Sequence, residues 1–290
     1  MLLERGIANP EQHWGKYQFL KLWDNDAFRK SLERADYSYV FSDVRNRIIV
    51  HYSSLSDPYQ NIIAEPGVRQ EALSNSLRAM VRGSLKLILE NSVFNVRILT
   101  RSIAAGRDFD LFQKFGSRLV LGMSLPTLQQ DLIEAYEPGA PAVSERLKTL
   151  WSAKRKGIPI FVAISPIYPE IDAADLRSTF AEIAALDPVE ICCEPINYRP
   201  GLASRLLDAR NALELQSLHP TSEAAWTQYA LRALAMAQEV ATGLGQLARL
   251  RLMPSRELGD ERLVQSMSDP GEYRRWLDYW WHQQPKWSVH

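Results

Sequence analysis

Arg118–Glu170 reads RLVLGMSLPTLQQDLIEAYEPGAPAVSERLKTLWSAKRKGIPIFVAISPIYPE. Leu119, Leu121 and Met123 alternate with smaller residues and stop at Ser124-Leu125-Pro126-Thr127, the pattern of a buried strand running into a turn. Glu137-Pro138-Gly139-Ala140-Pro141 is a rigid bend, because each proline fixes φ and removes a backbone donor. Pro141 suits the first turn of a helix, and Leu147, Leu150 and Trp151 continue it at helical spacing. Gly157 closes that helix, and Ile158–Ile164 is a second apolar strand ending at Ser165-Pro166. Strand, helix, strand is a βαβ crossover, so the strands run parallel. Ligands of such sheets gather at the carboxyl ends of the strands, and both strands here end in a polar residue followed by a proline turn.

The same unit repeats outward. Toward the amino end, Tyr17–Trp23 predicts a strand and Asn25–Arg34 a helix capped by Asp24 or Asn25. Arg47–Tyr52 is a strand ending in Ser53-Ser54-Leu55-Ser56-Asp57-Pro58, a stretch that side-chain hydrogen bonds stitch into a turn. Gln70–Glu90 carries Leu73, Leu77, Met80, Val81, Leu85 and Ile88 at helical spacing. Val93–Leu99 is a strand ending at Thr100-Arg101-Ser102, and Asp108–Phe115 a short helix. Toward the carboxyl end come a helix over Ala173–Leu186, a strand over Val189–Cys193 ending in Glu194-Pro195-Ile196-Asn197, helices over Leu202–Ala212 and Glu223–Gly243, and a last strand within Leu247–Met253. The tail Tyr273–Trp287 holds Trp276, Tyr279, Trp280, Trp281 and Trp287. These aromatics either pack a terminal helix over an open barrel face or stack on bases. Alternating strands and helices with polar strand ends predict an α/β fold, a parallel barrel or a doubly wound sheet.

Composition narrows the function classes. The 290 residues are 46% hydrophobic and 23% charged, and 34 Lys+Arg balance 34 Asp+Glu, so bulk charge gives no sign of a strongly basic nucleic-acid binder. No apolar run is long enough to span a bilayer, and the first residues lack the layout of a secretory signal. Two cysteines, Cys192 and Cys193, are adjacent and build no disulfide framework. The cytoplasm is the expected compartment. The five histidines are scattered without metal-ligand spacing. No glycine-rich phosphate fingerprint follows a strand.

The order of strand-end motifs resembles the radical S-adenosylmethionine superfamily, and within it the spore photoproduct lyase and DNA-repair-photolyase-like branch. The resemblance runs from about Gly15 to Asn197. It is carried by Ser56-Asp57-Pro58-Tyr59-Gln60, Leu99-Thr100-Arg101-Ser102 with Arg107-Asp108-Phe109-Asp110-Leu111, and Gly122-Met123-Ser124-Leu125. It continues in Glu137-Pro138-Gly139-Ala140-Pro141 with Arg146-Leu147, and in Gly157-Ile158-Pro159 through Ser165-Pro166-Ile167-Tyr168.

The resemblance implies a partial parallel (β/α)6 TIM-like barrel over residues 1–200. Residues 201–290 then supply the remaining barrel helix and strand and an aromatic-rich helical extension. It also implies S-adenosylmethionine across the strand ends, a [4Fe–4S] cluster that reduces it to a deoxyadenosyl radical, and an electron donor such as a flavodoxin or ferredoxin. By motif matching, Ser124 and Arg101 fall at the methionine part of the cofactor, Ser56 and Asp57 toward its amino group, and Ser165 on the adenine side. For Arg146 a carboxylate or ribose contact and a place on the helix surface are both open. Cys193, Glu194 and Asn197 fall on the substrate side, with Cys192 beside them; the alternative for the cysteines is one buried thiol and one packed against a helix. The substrate, small molecule or nucleic acid, is not legible. The family's CxxxCxxC loop, whose thiolates hold the cluster, is absent, and serines occupy the strand end where spore photoproduct lyase has a hydrogen-donor cysteine. The expectation is a chain that starts after the first barrel strand and is inactive alone. The alternatives are a cluster-free relative serving as a binding or interaction module, and an unrelated barrel whose loops mimic the motifs.

Overall fold

A computed structural model describes residues 23–38, 48–52, 57–60, 68–197 and 222–287. Six strands form one sheet: β1 Ile49–Tyr52, β2 Asn95–Thr100, β3 Leu119–Ser124, β4 Ile160–Ile167, β5 Glu190–Pro195 and β6 Leu250–Leu252. They lie in the order β1-β2-β3-β4-β5-β6, each parallel to its neighbours. The helices are α1 Asn25–Ser38, α2 Val68–Asn91, α3 Phe109–Phe115, α4 Gln130–Tyr136, α5 Val143–Arg155, α6 Ala173–Ala185, α7 Glu223–Gly243, α8 Glu261–Ser266 and α9 Pro270–Trp281. A parallel sheet in strict chain order, with right-handed crossovers, places its connecting helices on one face.

Strand alternation divides the interior in two. Side chains such as Ile98, Leu121, Val162 and Ile191 join the helices in the main core. Val120, Phe161, Ala163 and Cys192 form a smaller cluster on the other face, with Leu99 and Trp287 packed against it. That second face is concave. His51 on β1 and Arg251 on β6 line one cavity of about 130 Å3, although five strand spacings of ~4.8 Å would separate them by roughly 24 Å in a flat sheet; Arg97 on β2 also reaches Glu190 on β5 at 2.5 Å. The sheet therefore curls into a partial barrel with a lumen, and β1 and β6 are its edges. On its outer side β1 has no strand partner among the described residues. The expected strand Tyr17–Trp23 falls almost wholly, and the helix Leu202–Ala212 entirely, outside those residues.

Local chemistry accounts for most boundaries. Asp24 caps α1, its Oδ1 accepting the backbone N–H of Asp26 and Ala27. Gly157 sits at φ +71° after α5, a conformation side chains disfavour. Two expectations need correction. Pro141 is not in the first turn of α5: the helix begins at Val143, and the Glu145 carboxylate accepts the Ala142 N–H at 3.1 Å. The short α4 is absent from the sequence reading, because one apolar pair, Leu132 and Ile133, is too little for a periodicity. After α9 the tail crosses the floor of the barrel. The Lys286 N–H donates to Glu190, the first residue of β5, and Trp287 packs on the lumen cluster.

Candidate functional site

The polar loops after β1 and β2 are stitched together. Asp57 accepts the Thr100 hydroxyl at 2.6 Å on one oxygen and the Arg101 N–H at 2.7 Å on the other. Tyr59, two residues on, donates its hydroxyl to Asp108 at 2.9 Å, and Arg82 of α2 reaches Asp108 at 2.6 Å and Asp110 at 2.5 Å. The Asp57-Pro58-Tyr59, Thr100-Arg101 and Arg107-Asp108 motifs thus form one hydrogen-bonded unit that fixes the backbone of Arg101.

A second unit ties β2 to β3. Glu137, in the bend after α4, accepts Arg101 Nε at 2.6 Å and Arg146 Nη2 at 2.6 Å. Arg146 also donates to the carbonyls of Pro141 at 2.9 Å and Ser124 at 3.0 Å. Its side chain is 0% exposed. Of the two places open for Arg146, the helix surface is therefore ruled out, and its hydrogen bonds hold the bend and the end of β3 in place. Arg101 is different, with a side chain 45% exposed. Burial works against its charge, but the Glu137 carboxylate outweighs that and raises its pKa. Its terminal nitrogens make no hydrogen bond among the described residues. Arg101 borders a cleft of about 600 Å3 that is also lined by Asp57, Gln60, Ser102, Tyr136 and the Glu137–Pro141 bend.

A third unit spans β3 to β5. The Ser124 hydroxyl donates to the Ser165 carbonyl at 3.0 Å, the Ser165 hydroxyl to Glu194 at 2.8 Å, and Asn197 to Glu194 at 3.2 Å. Ser165 and Glu194 border a second cavity of about 130 Å3, inside the lumen. The described residues matched to the cofactor fall at two cavities. Asp57 and Arg101 face the outer cleft and Ser165 the lumen. Ser124 is 3% exposed between them. Ser56 lies outside the described residues. Alternation turns the Cys193 side chain to the helices, in the main core.

The lumen also holds residues the motifs did not flag. Arg97 lies 3.6 Å above the Phe161 ring. That ring fits only because Gly122 has no side chain: a Cβ there would sit 2.0 Å from a ring carbon. Glu190 accepts Arg97 at 2.5 Å, the Cys192 thiol at 2.7 Å and the Lys286 N–H at 2.6 Å. Burial and the Glu190 charge hold the Cys192 thiol far above its ordinary range, so it stays protonated. Arg251 on β6 and His51 on β1 complete the polar lining. A usable signal existed, since Arg97, Glu190 and Arg251 are charged residues inside strands otherwise apolar enough for a buried parallel sheet.

The iron–sulfur cluster implied by the resemblance does not fit this chain. Its thiolate loop has no counterpart in a sequence with two cysteines. Cys192 and Cys193 are both buried and, as neighbours on a strand, point to opposite faces of the sheet.

Comparison with solved structures decides the fold. The fold is similar to that of spore photoproduct lyase. Its complex with dinucleoside spore photoproduct superposes with a TM-score of 0.58 at 12% identity, over 83% of this chain and 70% of that one. A cysteine-to-serine mutant of the lyase gives 0.55 at 13% identity, over 78% and 66%. Among curated proteins, an uncharacterized protein of Acidianus two-tailed virus is 30% identical over 107 residues, 35% of this chain and 36% of that protein. An uncharacterized protein of Methanocaldococcus jannaschii is 30% identical over 122 residues, 42% of this chain and 41% of that protein. The chain thus matches well under half the length of these relatives. No protein-family model matches it. Among the described residues no helix is long and apolar enough to cross a membrane.

Proposed function

We propose that this chain is a barrel that binds S-adenosylmethionine, or a near analogue, in the cleft at the end of β2. The observation that carries the reading is Arg101. Its Nε is held by Glu137 and its backbone by Asp57 at the border of the cleft, which leaves its terminal nitrogens for a ligand. A forked cation held this way suits the bidentate recognition of an amino-acid carboxylate. Asp57 places a carboxylate beside the cleft for an ammonium group, and Tyr136, stacked on Tyr168 at 3.8 Å, offers an aromatic edge to the rest of the ligand. The likeness of the fold to spore photoproduct lyase supports the choice of ligand. When bound, S-adenosylmethionine supplies a sulfonium centre; the residues of this chain orient it. Reductive cleavage is not assigned to this chain, because the sequence lacks the thiolates a cluster needs. The reading is therefore that of a binding module built on a radical-enzyme scaffold.

Titration calorimetry of the full chain with S-adenosylmethionine and S-adenosylhomocysteine tests it. Saturable one-to-one binding is expected, weakened about 10- to 100-fold by Arg101→Ala, the range for losing a hydrogen bond to a charged group. Absence of binding, or binding indifferent to Arg101→Ala, would sink the proposal.

A further inference from the structure

Arg251 is the most loosely held cation of the lumen. Arg251 has a side chain only 20% exposed, and its closest carboxylate oxygen is on Glu190 at 3.7 Å, too long for a hydrogen bond. None of its side-chain N–H groups is hydrogen-bonded among the described residues, and its Nε is buried without a partner. A largely buried guanidinium is costly unless its charge and donors are met. Glu190 has little left to give, because it already serves Arg97, the Cys192 thiol and the Lys286 N–H. Glu194 is engaged by Ser165 and Asn197.

Arg251 borders the lumen cavity of about 130 Å3, and His51 borders it from the opposite edge strand. That volume is far below the ~300–1,000 Å3 of a site for a whole drug-sized ligand. It corresponds to a few waters at ~30 Å3 each, room for one small polar group. The His51 pKa is lowered by partial burial first, then by Arg97 and Arg251, against the opposing Glu190.

We infer that the lumen cavity between β1 and β6 is an oxyanion site, in which Arg251 and His51 together receive a phosphate or carboxylate group of a small molecule. The cavity lies on the concave face, apart from the Arg101 cleft, so the site does not depend on the reading of that cleft. Arg251 supplies the charge and a forked pair of donors, and His51 supplies a ring N–H from the other edge of the sheet.

The test uses the full chain, with inorganic phosphate and acetate as separate probes at low ionic strength. Saturable binding of at least one of them is expected. Arg251→Met, which keeps the apolar stem, should weaken it about 10- to 100-fold. Arg251→Lys should recover part of it, and Arg29→Met on the exposed face of α1 should leave it unchanged. Should Arg251→Met fail to fold, the wild-type chain still decides. His51 shares the cavity with Arg97, Arg251, Cys192, Glu194 and Tyr52, and Glu190 acts on it from outside the lining. A bound anion must raise its pKa, read from its ring proton shift by nuclear magnetic resonance. If neither probe saturates, if Arg251→Met binds like wild type, or if the His51 pKa stays put under both probes, the site does not exist. Loss of S-adenosylmethionine binding in Arg101→Ala with anion binding intact would keep the two readings distinct.

Discussion

Twice among the described residues two arginines approach one glutamate, and the two groups are finished differently. At the strand ends, Arg101 and Arg146 both reach Glu137 at 2.6 Å. In the lumen, Arg97 reaches Glu190 at 2.5 Å while Arg251 stays at 3.7 Å. The difference lies in what else each glutamate receives. Glu137 spends its two oxygens on its two arginines. Glu190 also takes a thiol and a backbone N–H, so its second arginine is left over. The first group is a latch that holds Arg101, the bend and α5 in one geometry. The second is a scaffold with one cation in reserve.

The sharpest way to break this contrast is to remove the second arginine from each group. Arg146→Met deletes three hydrogen bonds and strands the carboxylate of Glu137, 8% exposed, on one remaining partner. A loss of ~3–5 kcal/mol is expected in urea unfolding, the cost of breaking a buried pair. Arg251→Met breaks no hydrogen bond among the described residues and should stay within about 1 kcal/mol of wild type. Equal losses in the two variants would mean that the lumen group is as closed as the latch.

A smaller effect is expected at Gly122. An alanine there collides with Phe161 at 2.0 Å, so the ring must leave its place beneath Arg97. Overpacking of this kind costs ~1–3 kcal/mol, and the ring resonances of Phe161 should shift with it. A Gly122→Ala protein with wild-type stability and unmoved ring signals would show that the lumen floor is softer than its packing implies.

The smallest effect belongs to an exposed counterpart, Arg82 with Asp110, whose side chains are 34% and 58% exposed. The hydrogen bond from Arg82 lowers the Asp110 pKa to about 2. A carboxylate depressed on folding stabilises the protein above its unfolded pKa of ~3.9. That contribution fades as the pH falls through about 2. Solvent screening keeps it below ~1 kcal/mol, and salt should erase most of it. The comparison is Asp110→Asn against wild type at pH 7, in low and high salt. A salt-independent loss above that bound would put this pair in the class of the buried ones.

Much of the fold was legible. Strand periodicity, the proline turns and Gly157 specify parallel βαβ units because they act over a few residues. The strand-end motifs were also legible, and their hydrogen bonds explain why they occur together: Asp57 needs Thr100 and Arg101, and Tyr59 needs Asp108. The role of Arg146 was not, since a helix arginine reads as solvated until a buried carboxylate is found beside it.

What the sequence determined by itself is the alternation of strands and helices, the polar strand ends and the lack of cluster ligands, all of which follow from local pattern or plain count. What only the tertiary structure decided is which charges meet. Arg97 and Glu190 are 93 residues apart and become partners because the sheet curls. His51 and Arg251 share a cavity because the first and last strands flank the same opening. Curvature of a sheet is a sum over all its strands, so no single stretch of the chain records it.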